Sequence, residues 1–139
     1  MQYKYNFDIL DKDSPDKYYF LGFLASDGYI TDDRISIGIS EKDVDLLKEF
    51  QKRICPNKPI YYKKRTNSVK FEISNPEKAK YVKKIFSMKS NKNHEEIKFP
   101  SVPDKYLKDF IRGVIDGDGE LFKRLKVERQ RVTEQGFAG

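Results

Sequence analysis

The sequence contains one cysteine, one histidine and no tryptophan in 139 residues. Cys55 has no second cysteine with which to form a disulfide, as is typical of proteins from reducing compartments. Together with His94 it supplies too few ligands for a zinc finger or another Cys/His zinc site, and histidine-rich nuclease motifs are excluded as well. Any catalytic chemistry must therefore come from carboxylates, lysines or hydroxyls.

Long apolar runs and a signal-peptide pattern are also missing, so the sequence predicts no membrane span and a cytoplasmic location. The formal net charge is +6, and 10 phenylalanines and 9 tyrosines supply a core. A basic balance favours polyanionic partners, because lysines and arginines near phosphates release counterions. Charge alone does not decide between a nucleic-acid-binding protein and a basic protein without such a partner.

Helix signals alternate with pairs of strand signals along the chain. A helix is predicted from Ser14-Pro15 to Asp27-Gly28, because serine caps a helix, proline suits its first turn and glycine follows its last. Ser40 is expected to cap a second helix and Asn75 a third. The predicted strands of the two intervening hairpins are residues 29–31 and 34–39, and residues 60–65 and 68–73.

Apolar and polar residues alternate strictly in the second strand of each hairpin, which predicts one buried face and one polar face. The expected fold class is α+β: an αββαββα half-domain with a four-stranded antiparallel sheet, followed by one further helix. A basic, polar strand surface suits the DNA major groove, with ordinary solvated strand residues as the alternative. The candidate DNA-binding residues are Arg34, Ser36, Tyr61, Lys63, Arg65 and Lys70.

The first helix recurs late in the chain. Pro15-Asp16-Lys17-Tyr18 begins the first copy and Pro103-Asp104-Lys105-Tyr106 begins the second. The aspartates near the two helix ends, Asp27 and Asp118, lie 91 positions apart, which indicates a duplication at domain scale. Small residues that allow close helix packing recur as well. They predict a helix–helix interface, tightest near the C-terminal ends, formed by Gly22, Ala25, Ser26, Gly113 and Gly117.

Asp27 and Asp118 are expected at helix C-termini, where the negative end of the helix dipole disfavours a carboxylate by up to about 1 kcal/mol. If the two helices pair, the carboxylates also repel each other. Two unfavourable acids in matching places predict a bound cation, for which Mg²⁺ is the natural candidate. A pair of plain Asp-Gly turns is the alternative for either copy taken alone.

The segments Leu21-Gly22-Phe23-Leu24-Ala25-Ser26-Asp27-Gly28 and Gly113-Val114-Ile115-Asp116-Gly117-Asp118-Gly119 resemble the two signature motifs of LAGLIDADG homing endonucleases. The order of elements between residues 14 and 88 also resembles one half of that fold. Ala25 stands where the motif usually carries its first acid. The resemblance covers roughly residues 14–119 of the chain.

This resemblance implies a site-specific DNA endonuclease that cuts both strands of a long double-stranded target. It implies that Asp27 and Asp118, with the adjoining Gly28 and Gly119, hold divalent metal that activates water and stabilises the leaving oxygens. By strand order, Lys70 resembles the basic residue of the family near the water network. Glu41 resembles a position that helps to order that water.

Only 20 residues follow Gly119, fewer than a second sheet and its helices need. The expected organisation is a half-domain at 14–88, a linker at 89–102, the second motif helix at 103–119 and a basic tail at 120–139, left from a truncated second half. Unpaired strands and a bare tail favour a truncated or decayed enzyme. Self-association that rebuilds the DNA-binding saddle and a separately encoded second half are the alternatives. A non-cleaving intron maturase or DNA-binding regulator on the same scaffold is the alternative function.

Overall fold

The computed structural model describes residues 3–88 and 100–117. The predicted linker lies outside these ranges except for residues 100–102, and the predicted tail lies wholly outside them. Nine labelled elements follow one another in the described ranges, with no helix among them long and apolar enough to cross a bilayer. They are α1 (Asp8–Asp11), α2 (Pro15–Asp27), β1 (Gly28–Ile30), β2 (Arg34–Ser40), α3 (Val44–Ile54), β3 (Tyr61–Lys63), β4 (Ser68–Ser74), α4 (Pro76–Ile85) and α5 (Leu107–Gly117).

The four strands form one antiparallel sheet in the order β1-β2-β4-β3. Each hairpin contributes its longer strand to the centre, where β2 and β4 pair from Arg34↔Ser74 to Ser40↔Ser68. From α2 to α4 the order is αββαββα, and α5 is the additional helix. The predicted α+β fold class and the joining of two hairpins into one sheet are confirmed.

The apolar face of the sheet forms one side of the core. The alternating residues of β2 and β4 are almost fully buried there, as the period-two pattern requires: Ile35, Ile37, Ile39, Val69, Phe71 and Ile73. Each of the helices α2, α3 and α4 adds a buried apolar stripe to the same cluster. These three helices thus lie on the apolar side of the sheet, opposite its polar face.

Two of the three predicted helix caps are confirmed. The Ser14 side chain accepts a hydrogen bond from the Lys17 amide, and the Asn75 side chain accepts one from the Lys78 amide. The cap predicted at Ser40 is wrong, because Ser40 ends β2 and its side chain makes no capping hydrogen bond. The Glu41 amide instead donates to the carbonyl of Asn67 at 2.9 Å, and a 3₁₀ turn separates the strand from α3.

The difference between these serines predicts a difference in stability. Ser14→Ala should lower the free energy of unfolding by about 1 kcal/mol, because the Lys17 amide loses its acceptor at the start of α2. Ser40→Ala removes no capping bond and should change it by less than about 0.5 kcal/mol. Urea unfolding of both variants and the parent protein measures the two effects. Equal losses would show that the Ser14 hydrogen bond does not stabilise the helix.

The turn of the second hairpin is longer than the predicted Thr66-Asn67 pair. Residues 64–67 form it, since the Thr66 amide donates to Lys63 and the Asn67 amide to Lys64 at 3.3 and 3.4 Å. Asn67 adopts the left-handed conformation with φ 50°, which asparagine tolerates better than most residues. As a result β3 is shorter than predicted, and Arg65 lies in the turn instead of the strand.

Candidate nucleic-acid interface and metal site

The two motif helices, α2 and α5, cross at unusually short distance. A Cβ atom built on Gly22 would lie 2.1 Å from the carbonyl oxygen of Phe110. One built on Gly113 would lie 2.1 Å from the carbonyl oxygen of Tyr19. Both obstacles are backbone atoms, so only glycine fits at either position. The interface predicted from the small residues is therefore present, and these two glycines define it.

The contacts at this crossing are symmetric. A shift of 91 positions converts Gly22 into Gly113 and Tyr19 into Phe110, and it converts the first contact into the second. It also relates the next-nearest atoms. A Cβ built on Gly22 would lie 3.0 Å from the Val114 nitrogen, and one built on Gly113 would lie 2.9 Å from the Phe23 nitrogen. The sequence repeat is thus a local pseudo-twofold relation between the helices.

In the described residues, the closest backbone approaches are at Gly22 and Gly113, in the C-terminal half of each helix and about one turn before Asp27 and Gly117. At the end of the described part of α5, a Cβ on Gly117 would meet the Cβ of Ser26 at 2.7 Å, not backbone. The Ser26 side chain fills this space, with its hydroxyl 3.0 Å from the Val114 carbonyl and 3.2 Å from the Gly22 carbonyl. Ala25 is buried to 3% exposure in the same core.

Asp27 lies where the first motif helix meets the sheet. It is the last residue of α2, and Gly28 both follows the helix and begins β1. The Gly28 amide donates to the Leu24 carbonyl, and a Cβ on Gly28 would lie 2.5 Å from that oxygen. Gly28 has φ −84°, so this close approach, not a left-handed turn, requires glycine. Asp118 and Gly119, the predicted equivalents in the second motif, lie outside the described residues.

A groove of about 600 Å³ runs from the end of α2 across the polar face of the sheet. Gly28 pairs with Ile37, so Asp27 lies level with Gly38 of β2, which pairs in turn with Lys70 of β4. The motif acid and the strand residues therefore share one surface. The groove is lined by Asp27, Gly28, Tyr29, Thr31, Asp33, Arg34, Ser36, Gly38, Lys70 and Glu72.

Strand register decides which predicted DNA-binding residues share this face. Directly paired residues of neighbouring strands point to the same side of a sheet. One row across the face is Tyr29–Ser36–Glu72, the next is Gly38–Lys70–Tyr61, and the third is Ser40–Ser68–Lys63. Arg34, two residues before Ser36, points to the same side. The face predicted from the alternation is therefore assembled as expected.

Four of the described candidate DNA-binding and catalytic residues do not line the groove. Tyr61 and Lys63 lie on β3, at the far side of the polar face. Arg65 lies in the exposed turn 64–67, at the edge of this face. Glu41 lies in the 3₁₀ turn past the end of β2 and does not line the groove. Three residues separate it from Gly38, which corresponds to roughly 10 Å along a strand. The structure therefore brings Lys70 close to the level of Asp27 but leaves Glu41 further away.

Ser36 differs from the prediction of an exposed contact residue, since only 6% of it is accessible. It occupies the middle of a row between Tyr29 and Glu72, both with much longer side chains. Its hydroxyl lies 3.4 Å from a carboxylate oxygen of Glu72. The short side chain is thus covered by its neighbours, and Tyr29, 51% exposed, presents the larger surface for a ligand.

Glu72 connects the basic residues of the groove. One of its oxygens lies 2.8 Å from the Lys70 ammonium, and the other lies 3.7 Å from the Arg34 guanidinium. The hydrogen bond from Lys70 holds the pKa of Glu72 below its ordinary value, against the opposing effect of desolvation. The alternation over residues 68–73 puts Glu72 on the same face as Lys70, but its ion pairs could not be predicted, because they depend on the pairing of β2 with β4.

The lowered pKa of Glu72 predicts a pH-dependent stability difference. A carboxylate with a depressed pKa stabilises the folded state above its unfolded pKa, and this contribution disappears as the pH falls through the folded value. Near neutral pH, Glu72→Gln should therefore melt at lower temperature than the parent. The difference should shrink as the pH falls through and below 4.5, the ordinary pKa of the group. Melting curves of the parent, Glu72→Gln and the control Glu77→Gln measure this effect. A melting-temperature difference between the parent and Glu72→Gln that stays constant on acidification would contradict a lowered pKa of Glu72.

Tyr19 links the two motif helices beside the crossing. Its hydroxyl donates to a carboxylate oxygen of Asp116 at 2.5 Å, and the Arg112 guanidinium lies over its ring at 4.9 Å. Burial, followed by the hydrogen bond to Asp116, raises the pKa of Tyr19. This arrangement was not predicted, because the pairing of residues 97 positions apart depends on the crossing of α2 and α5.

Within residues 3–88 and 100–117, no group of three or more acidic, histidine or cysteine side chains is placed to hold a metal ion. Three carboxylates line the groove, those of Asp27, Asp33 and Glu72. Asp33 accepts a hydrogen bond from Arg34, and Glu72 forms an ion pair with Lys70. Asp27 is the motif acid among the three. Its carboxylate is the hard oxygen donor that Mg²⁺ prefers, and Mg²⁺ commonly takes only one or two protein carboxylates.

No family model matches the chain. The chain is 28% identical over 122 residues to a probable translation initiation factor IF-2 of Thermococcus kodakarensis. That match covers 84% of this chain and spans about a tenth of the length of the factor. Among solved structures, the I-LtrWI LAGLIDADG homing endonuclease bound to target DNA matches with a TM-score of 0.47 and 14% identity, over 81% of this chain and 59% of the endonuclease. A likeness at this level is too low to transfer a function.

Proposed function

We propose that this chain is a DNA endonuclease of the homing type, which cleaves both strands of a long duplex target with a divalent metal. The observation that carries the proposal is the position of Asp27. It ends one helix of a pseudo-twofold pair and opens onto the groove along the polar face of the sheet. The sequence motifs that end in Asp27 and Asp118 add to this support.

The polar face of the sheet is the proposed DNA-binding surface. A two-stranded ribbon fits the major groove of B-form DNA, and arginine, lysine and serine side chains can address base edges or phosphates there. The net charge of +6 favours association with a polyanion. Exposed Tyr29 and Tyr61 offer additional contact area on the same face. The proposed contacts are Arg34, Ser36, Tyr61, Lys63, Arg65 and Lys70.

The proposed metal ligands are the carboxylates of Asp27 and Asp118, with the backbone at Gly28 and Gly119. Bound Mg²⁺ would supply a Lewis acid that activates water and stabilises the leaving oxygen. Lys70 lies in the row level with Asp27 and would hold a proton near the scissile phosphate. Glu41, on the turn past β2, would help to order solvent at the edge of the groove.

The outer face of α5 carries apolar residues, which supports the proposal that a second sheet packs against it. The shift of 91 positions relates Phe20 and Leu24, which are fully buried against the first sheet, to Ile111 and Ile115 of α5. Ile115 is 39% exposed and Ile111 is only half-buried. We propose that a second αββαββα unit, contributed by self-association or by a missing second half, covers this face and completes the DNA-binding saddle.

Selection from a random duplex library, followed by cleavage of the selected sequences, tests the proposed function. The protein should enrich one long site and linearise plasmid carrying that site in Mg²⁺ but not in EDTA. Sedimentation of the protein with and without the site measures whether two copies assemble on it. The absence of both enrichment and retention of any duplex at low salt would refute the proposal.

A non-cleaving nucleic-acid-binding protein, either a maturase or a regulator, is the second candidate. The observation in its favour is the polar face of the sheet, whose Arg34 and Lys70 can contact nucleic acid without any bound metal. Such a protein would enrich a duplex or RNA sequence but would not cut it at any Mg²⁺ concentration. Parallel selections with RNA and DNA libraries distinguish the two partner classes.

A further inference from the structure

The basic residues of the groove are held by an acid of the same surface. Glu72 ends its row across the face, next to Ser36, and its carboxylate contacts both Arg34 and Lys70, with only 17% of its side chain exposed. Its distances to these cations are 3.7 and 2.8 Å. A DNA phosphate that approached Lys70 would have to displace this carboxylate and would be repelled by it.

We infer that Glu72 is a specificity-determining residue that restrains Arg34 and Lys70 and suppresses binding to unrelated DNA. The inference rests on the proposed function and identifies what the groove selects. Unrelated duplexes offer mainly phosphate contacts, which compete with Glu72 for the two cations. A cognate duplex also offers base edges.

The base edge that suits a displaced carboxylate is the exocyclic amino group of cytosine, since aspartate and glutamate accept hydrogen bonds from it in the major groove. Glu72 lies in the row beside the one level with Asp27, so the selected cytosine would lie close to the cleavage position. Release of Arg34 and Lys70 to phosphates would then accompany recognition of the correct base. The carboxylate thereby converts two general phosphate contacts into contacts that depend on sequence.

Binding measured against salt concentration tests this inference. Fluorescence anisotropy with random duplexes and with the selected site should be recorded for the parent, Glu72→Gln and Glu77→Gln. Glu77 is exposed at the start of α4, on the opposite side of the sheet, and its replacement changes net charge equally. With both cations released, Glu72→Gln should steepen the dependence of log K on log salt by about 1 to 2 for random DNA, because each new phosphate contact adds about 0.9.

Glu72→Gln should also discriminate less well between the selected site and random duplexes. Loss of one good side chain–base contact should reduce the preference for the selected site by about 5- to 100-fold, concentrated at one cytosine position. Glu77→Gln should show neither change. In a Lys70→Met background, Glu72→Gln should steepen the salt dependence by only about half as much, because one of the two restrained cations is gone.

Glu72→Asp provides a second variant that keeps the charge but withdraws the carboxylate by one methylene group. If contact of the carboxylate with Arg34 and Lys70 matters, the salt dependence of Glu72→Asp should fall between those of the parent and Glu72→Gln. If only net charge matters, it should equal that of the parent. Equal behaviour of Glu72→Gln and Glu77→Gln, with DNA still bound by the parent, would overturn this inference alone. Failure of every variant to bind any duplex at low salt would overturn the proposed function, and this inference with it.

Discussion

Replacement of Gly22 by alanine is expected to lower the free energy of unfolding by about 3 kcal/mol or more, and a larger residue should prevent folding. The added Cβ would lie 2.1 Å from the carbonyl oxygen of Phe110. Overpacking commonly costs about 1–3 kcal/mol where side chains can adjust. Here the obstacle is backbone of a second helix, so α2 and α5 must separate. A domain with about 5–15 kcal/mol of total stability loses a large part of it.

The pseudo-twofold relation adds a sharper expectation. Gly113→Ala should cost as much as Gly22→Ala, because its Cβ meets the Tyr19 carbonyl oxygen at the same 2.1 Å. The two changes should not be additive, since either one already forces the same pair of helices apart. Urea unfolding of the two single variants and the double variant measures this coupling.

Gly38→Ala is the matched control for these variants. Gly38 lies on the polar face of β2, and the nearest atom to an added Cβ is the Val69 oxygen at 3.9 Å, an ordinary contact. Alanine in a strand also costs less backbone entropy than glycine, so stability should stay unchanged or rise by up to about 1 kcal/mol. Wild-type stability of Gly22→Ala or Gly113→Ala would show that the helices do not cross at the described distance.

The close helix crossing could be predicted in kind but not in detail. The repeat separated by 91 positions identified Gly22 and Gly113 as equivalent, and their lack of a side chain indicated close packing. The position of closest approach depends on which residues of the two helices face each other. That pairing places Ser26 opposite Gly117, its own equivalent under the shift of 91 positions. The repeat identifies these positions as equivalent but does not determine that they meet.

The candidate site could also be predicted from the sequence only in part. The alternation in β2 and β4 correctly placed Arg34 and Lys70 on the polar face, because side-chain direction has a period of two. The ion pairs with Glu72 and the burial of Ser36 depend on register between two different hairpins. Local sequence sets the register within a hairpin through its turn, but packing of the whole core sets the register between hairpins.

The wrong prediction of a helix cap at Ser40 has a similar cause. A serine followed three residues later by an acid favours a helix cap when the chain is considered locally. In the fold, Ser40 still pairs with Ser68 in the sheet, and the Glu41 amide donates to the Asn67 carbonyl in the turn of the other hairpin. Tertiary pairing therefore delays the α-helix until Val44.

Asp27→Asn is expected to abolish metal-dependent cleavage and to leave folding and DNA binding largely intact. If the Asp27 carboxylate holds the metal, the neutral amide weakens that ligand while keeping its size. Loss of several kcal/mol of transition-state stabilisation corresponds to a decrease in cleavage rate of roughly 10³-fold or more. If the Asp118 carboxylate lies beside that of Asp27, as the matching motifs predict, the metal-free variant should also be no less stable than the parent. Cleavage rates in Mg²⁺ and melting curves with and without Mg²⁺ measure the two effects.

Asp45→Asn is the charge-matched control, because Asp45 is exposed in the first turn of α3, on the helical side of the sheet. The parent and this control should gain thermal stability from Mg²⁺ by mass action, whereas Asp27→Asn should gain less. Unfolding of Asp27→Asn without metal would assign Asp27 a structural role at the junction of α2 and β1. Cleavage at the parental rate by a folded Asp27→Asn would remove it from the metal site. Asp27 lines the groove whether the protein cleaves nucleic acid or only binds it. The effect of Mg²⁺ on cleavage and on thermal stability therefore distinguishes these two functions.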